Sequence, residues 1–385
     1  MPAPRAATVV FLVALCLRPA ITAVGPVLPL IGAEEGLGEG ALGLLGALPL
    51  LAFAAVSPFV SRLAARAGME RAILVSLLVL AAATAARSLG GVALWGGTVL
   101  LGAAIAVGNV LVPAIVRRDH AERVSSATGL YSAFLTTSAA VASAVAVPLA
   151  ALGGWRLSLG AWALLALLVA LAWLPATRSA AVVAPSPPAE HGPTVWRRPE
   201  AWLLTAFTGL QSLTFYALVT WLPSVETADG IAAGEAGLHL FAYQLVGILG
   251  GLGIPLLLRR ADRRLAGALL ASAPVPIATV GLLLAPGLAL LWVVIAGLGS
   301  GAALVVALSL SGLLARDHHE AARLSGMAQA LGYLLAAGGP VGVGLLAEAT
   351  GGWRVPLVLI ATLGVAQLVV AVLVARPRPA LRLYP

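Results

Sequence analysis

Apolar residues run along this chain in stretches too long and unbroken for strands or for amphipathic surface helices. Stretches of bilayer-spanning length lie at about 8–32, 40–61, 72–89, 92–116, 125–152 and 156–175. After a polar break, six more follow at about 200–225, 234–258, 265–285, 288–314, 324–349 and 353–375. Between Arg264 and Arg316 lie 51 uncharged residues, too many for one crossing and right for two joined by a turn at Ala285, Pro286 and Gly287. The pattern predicts an all-α integral membrane protein with twelve transmembrane helices.

Composition agrees and excludes other classes. Hydrophobic residues make up 61% of the chain and charged residues 10%, whereas about a quarter of a soluble globule is charged. All 23 basic residues are arginine. Without lysine there is no complete phosphate-binding loop and no Schiff base to a chromophore or pyridoxal, so neither an ATPase motor nor a retinal pump is encoded. Cys16 is the only cysteine, which rules out an intrachain disulfide and a cysteine-built metal site. The apolar run behind Arg5 continues to Ile31 and contains Arg18, so it reads as a membrane span rather than a cleaved leader.

Arginine placement supplies an orientation. With the twelve spans laid out, nineteen arginines fall near one face, Arg87, Arg156 and Arg354 fall near the other, and Arg18 is mid-span. The positive-inside rule puts both termini in the cytoplasm and explains the net charge of +8 without any nucleic acid. From Ala176 to Arg198 the chain turns polar and proline-rich, which marks a cytoplasmic linker over 176–198. The linker separates an N-terminal six-helix bundle, 1–175, from a C-terminal six-helix bundle with a short cytoplasmic tail, 199–385.

Shifted by 198 residues, the chain matches itself without gaps. Arg62 falls on Arg260, Arg66 on Arg264, Arg118-Asp119-His120 on Arg316-Asp317-His318, Glu122 on Glu320, and Gly153-Gly154-Trp155-Arg156 on Gly351-Gly352-Trp353-Arg354. A shift spanning six helices preserves orientation, so the halves are parallel repeats about an axis along the membrane normal, with substrate expected at their interface near mid-depth.

These features resemble the major facilitator superfamily. The loop with Ser61, Arg62, Arg66, Gly68 and Arg71 is similar to its signature loop, although Ala65 stands at the usual aspartate position, while Asp262 and Arg263 resemble that loop's Asp-Arg pair. The segment LRPAITAVGPVLPLI, Leu17 to Ile31, resembles the first helix of the cyanate and nitroimidazole transporter family. The resemblance implies the major facilitator fold, gating loops at Arg62, Arg66, Asp262 and Arg263, and alternating access in a bacterial inner membrane. The expected partners are a small-molecule substrate and the lipid bilayer, with the protein acting as a monomer.

Arg18 is the leading candidate for binding. A mid-span arginine is unfavourable by roughly 2.5 to 3.5 kcal/mol, and such residues usually face a bundle interior or a wet cavity. No carboxylate lies at comparable depth, so its counter-charge is either backbone carbonyls and a helix-end acid or a substrate. Pro19, Pro26 and Pro29 each free a carbonyl four residues back, which either curves the helix or opens a cavity. Asn109 reads as helix glue or as a cavity wall. The 198 shift sets Tyr216 opposite Arg18, with Gln211 on a nearby face. Tyr216 is then either a packed core tyrosine or a neutral donor to an anion. Tyr243 shares a face with His239, and Tyr333 repeats such an i, i+4 pair with Gln329. His239 is the only histidine inside a span and either carries a coupling proton or is an ordinary hydrogen-bonded histidine.

No cofactor is expected, and no metal, since His120, His318 and His319 match no standard ligand spacing. An enzyme is disfavoured because the spans hold no paired carboxylates. The sequence points to a secondary active transporter for a small anionic or strongly dipolar solute, cyanate-like or a small organic anion. The alternative is an exporter of small heteroaromatic compounds such as nitroimidazoles.

Overall fold

A chain surrounded by lipid must satisfy its backbone internally, and this one does so almost entirely with helices. The computed structural model describes residues 4–178, 195–258, 263–315 and 318–375. The first crossing is broken into α1 (Pro4–Cys16), α2 (Pro19–Thr22), a 3-10 turn (Gly25–Val27) and α3 (Leu28–Glu35). Each piece after the break starts with a proline at its first or second position, where the missing N–H has no intrahelical partner to lose. The first crossing is therefore interrupted rather than merely curved.

Next come α4 (Glu39–Ala67), α5 (Met69–Arg87), α6 (Gly91–Asp119) and α7 (Val124–Arg178). At 55 residues, α7 would be about 80 Å long if straight, against a hydrocarbon layer of about 30 Å. It is two helices meeting at Gly153 and Gly154, both outside helical geometry. Trp155 beside this corner bonds Glu34 at the end of α3, whereas Phe134 packs toward Phe11 and Trp173 bonds the Glu70 carbonyl at the start of α5, both at the opposite end of the bundle. The chain therefore crosses twice here, and the 11 long apolar helices make twelve crossings.

The second half contains α8 (Pro199–Ala228), α9 (Ala233–Leu258), α10 (Arg264–Ser272), α11 (Pro274–Leu284), α12 (Ala289–Leu314), α13 (His318–Thr350) and α14 (Arg354–Ala375). α10 and α11 form one crossing, interrupted at Ala273 ahead of Pro274. The turn expected at Ala285 to Gly287 is realised by a 3-10 segment, Pro286–Leu288, closed by Trp292 Nε1 donating to the Ala285 carbonyl at 3.0 Å. Of the linker expected over 176–198, helix α7 reaches Arg178 and a 3-10 turn spans Val195–Arg197; positions 179–194 lie outside the described residues.

The halves meet where α4 packs on α13, the first arm of α7 on α9, and the Gly25–Val27 turn on α8 and α9. Toward the arginine-poor end this seam is tight. Gly43 lies so close to the Pro340 carbonyl that no side chain would fit between α4 and α13. Gly40 N donates to Glu348 Oε2 at 2.8 Å across the same seam.

Gly154, at φ 69° and ψ −179°, occupies a region of backbone space essentially closed to other residues. Gly154→Ala should destabilise the protein by about 1–3 kcal/mol. Gly129→Ala, at an exposed helical site of α7 with open space around it, should leave the melting temperature unchanged or raised. Thermal unfolding of the purified protein in detergent compares the two.

Candidate functional site

Arg18 stands at the break between α1 and α2, half-buried, as the residue capping α2. Its Nη1 donates to the Tyr216 hydroxyl on α8 at 2.8 Å. The two residues related by the 198 shift are thus bonded to each other across the halves. Tyr131 on α7 and Tyr333 on α13 lie close enough to couple to the same charge. Each half contributes two of the four groups. Rings extend the cluster: Phe53 meets Tyr333 edge-on at 5.6 Å, and Phe215 meets Tyr216 at 5.1 Å and stacks on Tyr243 at 5.9 Å. Among the described residues no carboxylate pairs with Arg18.

The other candidates are placed around this centre. Tyr243 is fully buried with its hydroxyl donating to Ser300 Oγ on α12 at 2.7 Å, so it reaches the cluster only through the Phe215 ring. Gln211 is buried, and its Oε1 accepts from Ser212 at 3.2 Å. Asn109 is half-buried on α6, next to Gly108, which packs against Leu17 beside the break. Tyr333 also lines a cavity running between α8, α12 and α13 with Thr208, Ser212, Ser311, Ser325 and Gln329. Sequence reasoning missed Tyr131. The available signal was rarity, since the chain has only five tyrosines and four of them gather here.

The broken span needs replacement donors, and its neighbours supply them. Pro26 has no N–H for the Thr22 carbonyl, which instead accepts from Ser143 Oγ of α7 at 3.3 Å. Thr22 Oγ1 donates to the carbonyls of Arg18 at 3.2 Å and Ala139 at 3.0 Å. Gln244 of α9 completes the group by donating to Ser143 Oγ at 2.7 Å and to the Ala139 carbonyl at 3.1 Å. This last pair of bonds crosses between the halves, one to two turns from Arg18 toward the arginine-poor end.

His239 on α9 lies with Nδ1 2.9 Å from Glu226 Oε1 on α8. Glu226 is 1% exposed, and its Oε2 has no partner among the described residues. Glu235 approaches the other ring nitrogen at 3.9 Å. Glu34 and Glu35 are engaged elsewhere: both carboxylates pair with Arg156, Glu34 also accepts from Trp155 Nε1 at 2.6 Å, and Glu35 accepts from Gly91 N at 2.7 Å. At the arginine-rich end, Arg62 rests over the Phe59 ring, Arg66 is exposed in the last turn of α4, and Arg263 is exposed at the start of α10. Asp262, the remaining gating candidate, lies outside the described residues. Nearby, Arg118 is paired with Glu70 at 2.7 Å and Asp119 at 2.6 Å, and Arg198 with the buried Glu320 at 2.5 Å.

The chain as a whole is similar to known proteins. The profile of the Major Facilitator Superfamily matches residues 10–340. The chain is 40% identical over 357 residues to a 2-nitroimidazole transporter of Escherichia coli (strain K12), covering 92% of this chain and 91% of the relative. It is 29% identical over 354 residues to a cyanate transport protein of the same organism, covering 90% of each. Among solved structures, a bacterial homologue of the human lysosomal transporter Spinster superposes with a TM-score of 0.78 at 19% identity, over 97% of this chain and 98% of that one.

The Arg18–Tyr216 bond can be isolated by a double-mutant cycle. Tyr216→Phe strands a charged donor and should destabilise the protein by about 1–3 kcal/mol. In an Arg18→Gln background the same substitution should do markedly less, as read by thermal unfolding of all four proteins.

Proposed function

The chain belongs to the Major Facilitator Superfamily of transporters, and on that premise we propose that it is a secondary transporter whose Arg18 anchors a small anionic or strongly dipolar solute. The single observation behind this reading is a guanidinium at the broken mid-span, facing the seam between halves, with tyrosines from both halves and no carboxylate among the described residues. A solute bearing negative charge supplies the missing counter-ion. The tyrosine hydroxyls add neutral donors, and charge-assisted bonds of this kind are worth about 1.5–3 kcal/mol each.

The bias of arginines supports the arginine-rich end as cytoplasmic, with both termini there, and the protein is taken as a monomer in the inner membrane. On that assignment the seam at Gly43–Pro340 and the bonds of Gln244 form the extracellular closure, and the cavity beside Tyr333 belongs to the cytoplasmic side. Rocking of the two six-helix halves about Arg18 would exchange one opening for the other. Arg62, Arg66, Asp262 and Arg263 would change partners at the cytoplasmic ends, and Asn109 and Gln211 would line the path once the halves part.

A second reading has its own support. The ring pairs Phe53–Tyr333 and Phe215–Tyr216 offer aromatic surface near Arg18 for a flat heteroaromatic solute, with Arg18 on a nitro group, as in export of nitroimidazole-like compounds. Proton coupling is assigned to the buried His239–Glu226 pair, where one proton can be held between imidazole and carboxylate without leaving a net charge.

Arg18→Gln should leave insertion intact and lower initial uptake at subsaturating solute by roughly ten- to a hundredfold in proteoliposomes. Near wild-type uptake would overturn the anchor. Parallel assays with a labelled linear inorganic anion and a labelled nitro-heteroaromatic decide between the two solute classes. His239→Gln and Glu226→Gln should each abolish accumulation driven by a pH gradient while sparing solute exchange; continued accumulation in both would place coupling elsewhere.

A further inference from the structure

A second arginine is buried in the spans, and the transport reading makes no use of it. Arg87 ends α5, is 1% exposed, and its Nε and Nη2 have no partner among the described residues. It lines a narrow cavity between the α2 region, α4, α6 and the second arm of α7, walled by Ile21, Val24, Leu45, Leu94 and Leu159, with Thr98 as the other polar side chain. Thr98 spends its hydroxyl proton on the Leu94 carbonyl at 2.6 Å. Neither Glu34 nor Glu35 pairs with it: Glu35 accepts from Gly91 N and Arg156, and Glu34 from Trp155 and Arg156. The negative end of the α5 dipole favours a cation at this position, but that effect is small beside the penalty of an uncompensated buried ion.

We propose that this cavity is an anion site in which Arg87 holds a single small inorganic anion of halide size. A water molecule in the cavity would leave a full positive charge in an apolar box, whereas a monovalent anion there would neutralise it. The space admits about one water-sized occupant, too small for an organic solute, and a chloride or bromide would press its apolar walls slightly apart. The site is separate from Arg18. Arg18 faces α8 across the seam, whereas Ala20, Ile21 and Val24, which follow it, turn toward Arg87 within the first half.

The bound anion would hold the α2 region against α5 and α6, so it is expected to act on stability rather than on solute selection. The purified protein should melt higher in sodium chloride than in sodium gluconate at equal ionic strength, with a saturable shift on the order of 2 °C or more. Arg18→Gln should retain that shift. Arg87→Gln should abolish it, being as stable as wild type or more so in gluconate and less stable than wild type in chloride. Crystals of the wild-type protein grown in bromide should show anomalous density beside Arg87, a readout that does not depend on how any variant folds. A wild-type protein indifferent to halide, a shift that survives Arg87→Gln or vanishes with Arg18→Gln, or bromide confined to the surface would each overturn the site.

Discussion

The organisation of this protein depends on how a charge is accommodated at mid-depth in hydrocarbon. Arg18 is tolerable because the span that carries it is broken there, the break faces another six-helix half, and that half presents the Tyr216 hydroxyl at 2.8 Å. The apolar core around it is shared as well. Leu17, Leu50 and Phe53 of the first half pack in one cluster with Tyr216, Ala336 and Ala337 of the second. A single interaction at the pseudo-symmetry axis thus couples the halves and presents the charge to whatever occupies the seam.

Breaking a membrane helix frees backbone carbonyls in a medium that offers no water, and the compensation shapes the neighbouring architecture. Ser143 satisfies the carbonyl freed by Pro26, Thr22 ties the broken span to α7, and Gln244 extends that local repair into a contact between halves. The prolines that interrupt the first span are therefore connected, through three polar side chains, to closure of the arginine-poor end. Glycines complete the closure by letting α4 and α13 approach at backbone distance. Separating the halves at this end requires breaking the Gly40–Glu348 and Gln244 hydrogen bonds and parting α4 from α13.

Part of the candidate site was legible before any fold was known, because a gap-free repeat converts sequence distance into symmetry. The 198 shift set Tyr216 opposite Arg18, and the structure bonds them. His239 was visible as the one histidine inside a span, but its pairing with Glu226 was not, since it depends on how α8 and α9 pack past their connecting turn. Tyr243 shows the converse. Its helical face was read correctly, while its hydroxyl turns to Ser300 of α12, a partner no periodicity points to. Tyr131 and the burial of Arg87 escaped for the same reason: both depend on contacts between helices far apart in the chain.

Hydropathy, arginine bias and the internal repeat determined the crossings and the parallel relation of the halves, because lipid imposes span length and hydrophobicity on each segment separately. The corner at Gly153–Gly154 falls between the apolar stretches 125–152 and 156–175, where the sequence already separated two crossings. Which polar groups meet was decided only by tertiary structure. Inside a bilayer all spans are similarly apolar, so the few hydroxyls, amides and charges are apportioned by helix rotation and close packing, to which a linear pattern of hydropathy is blind.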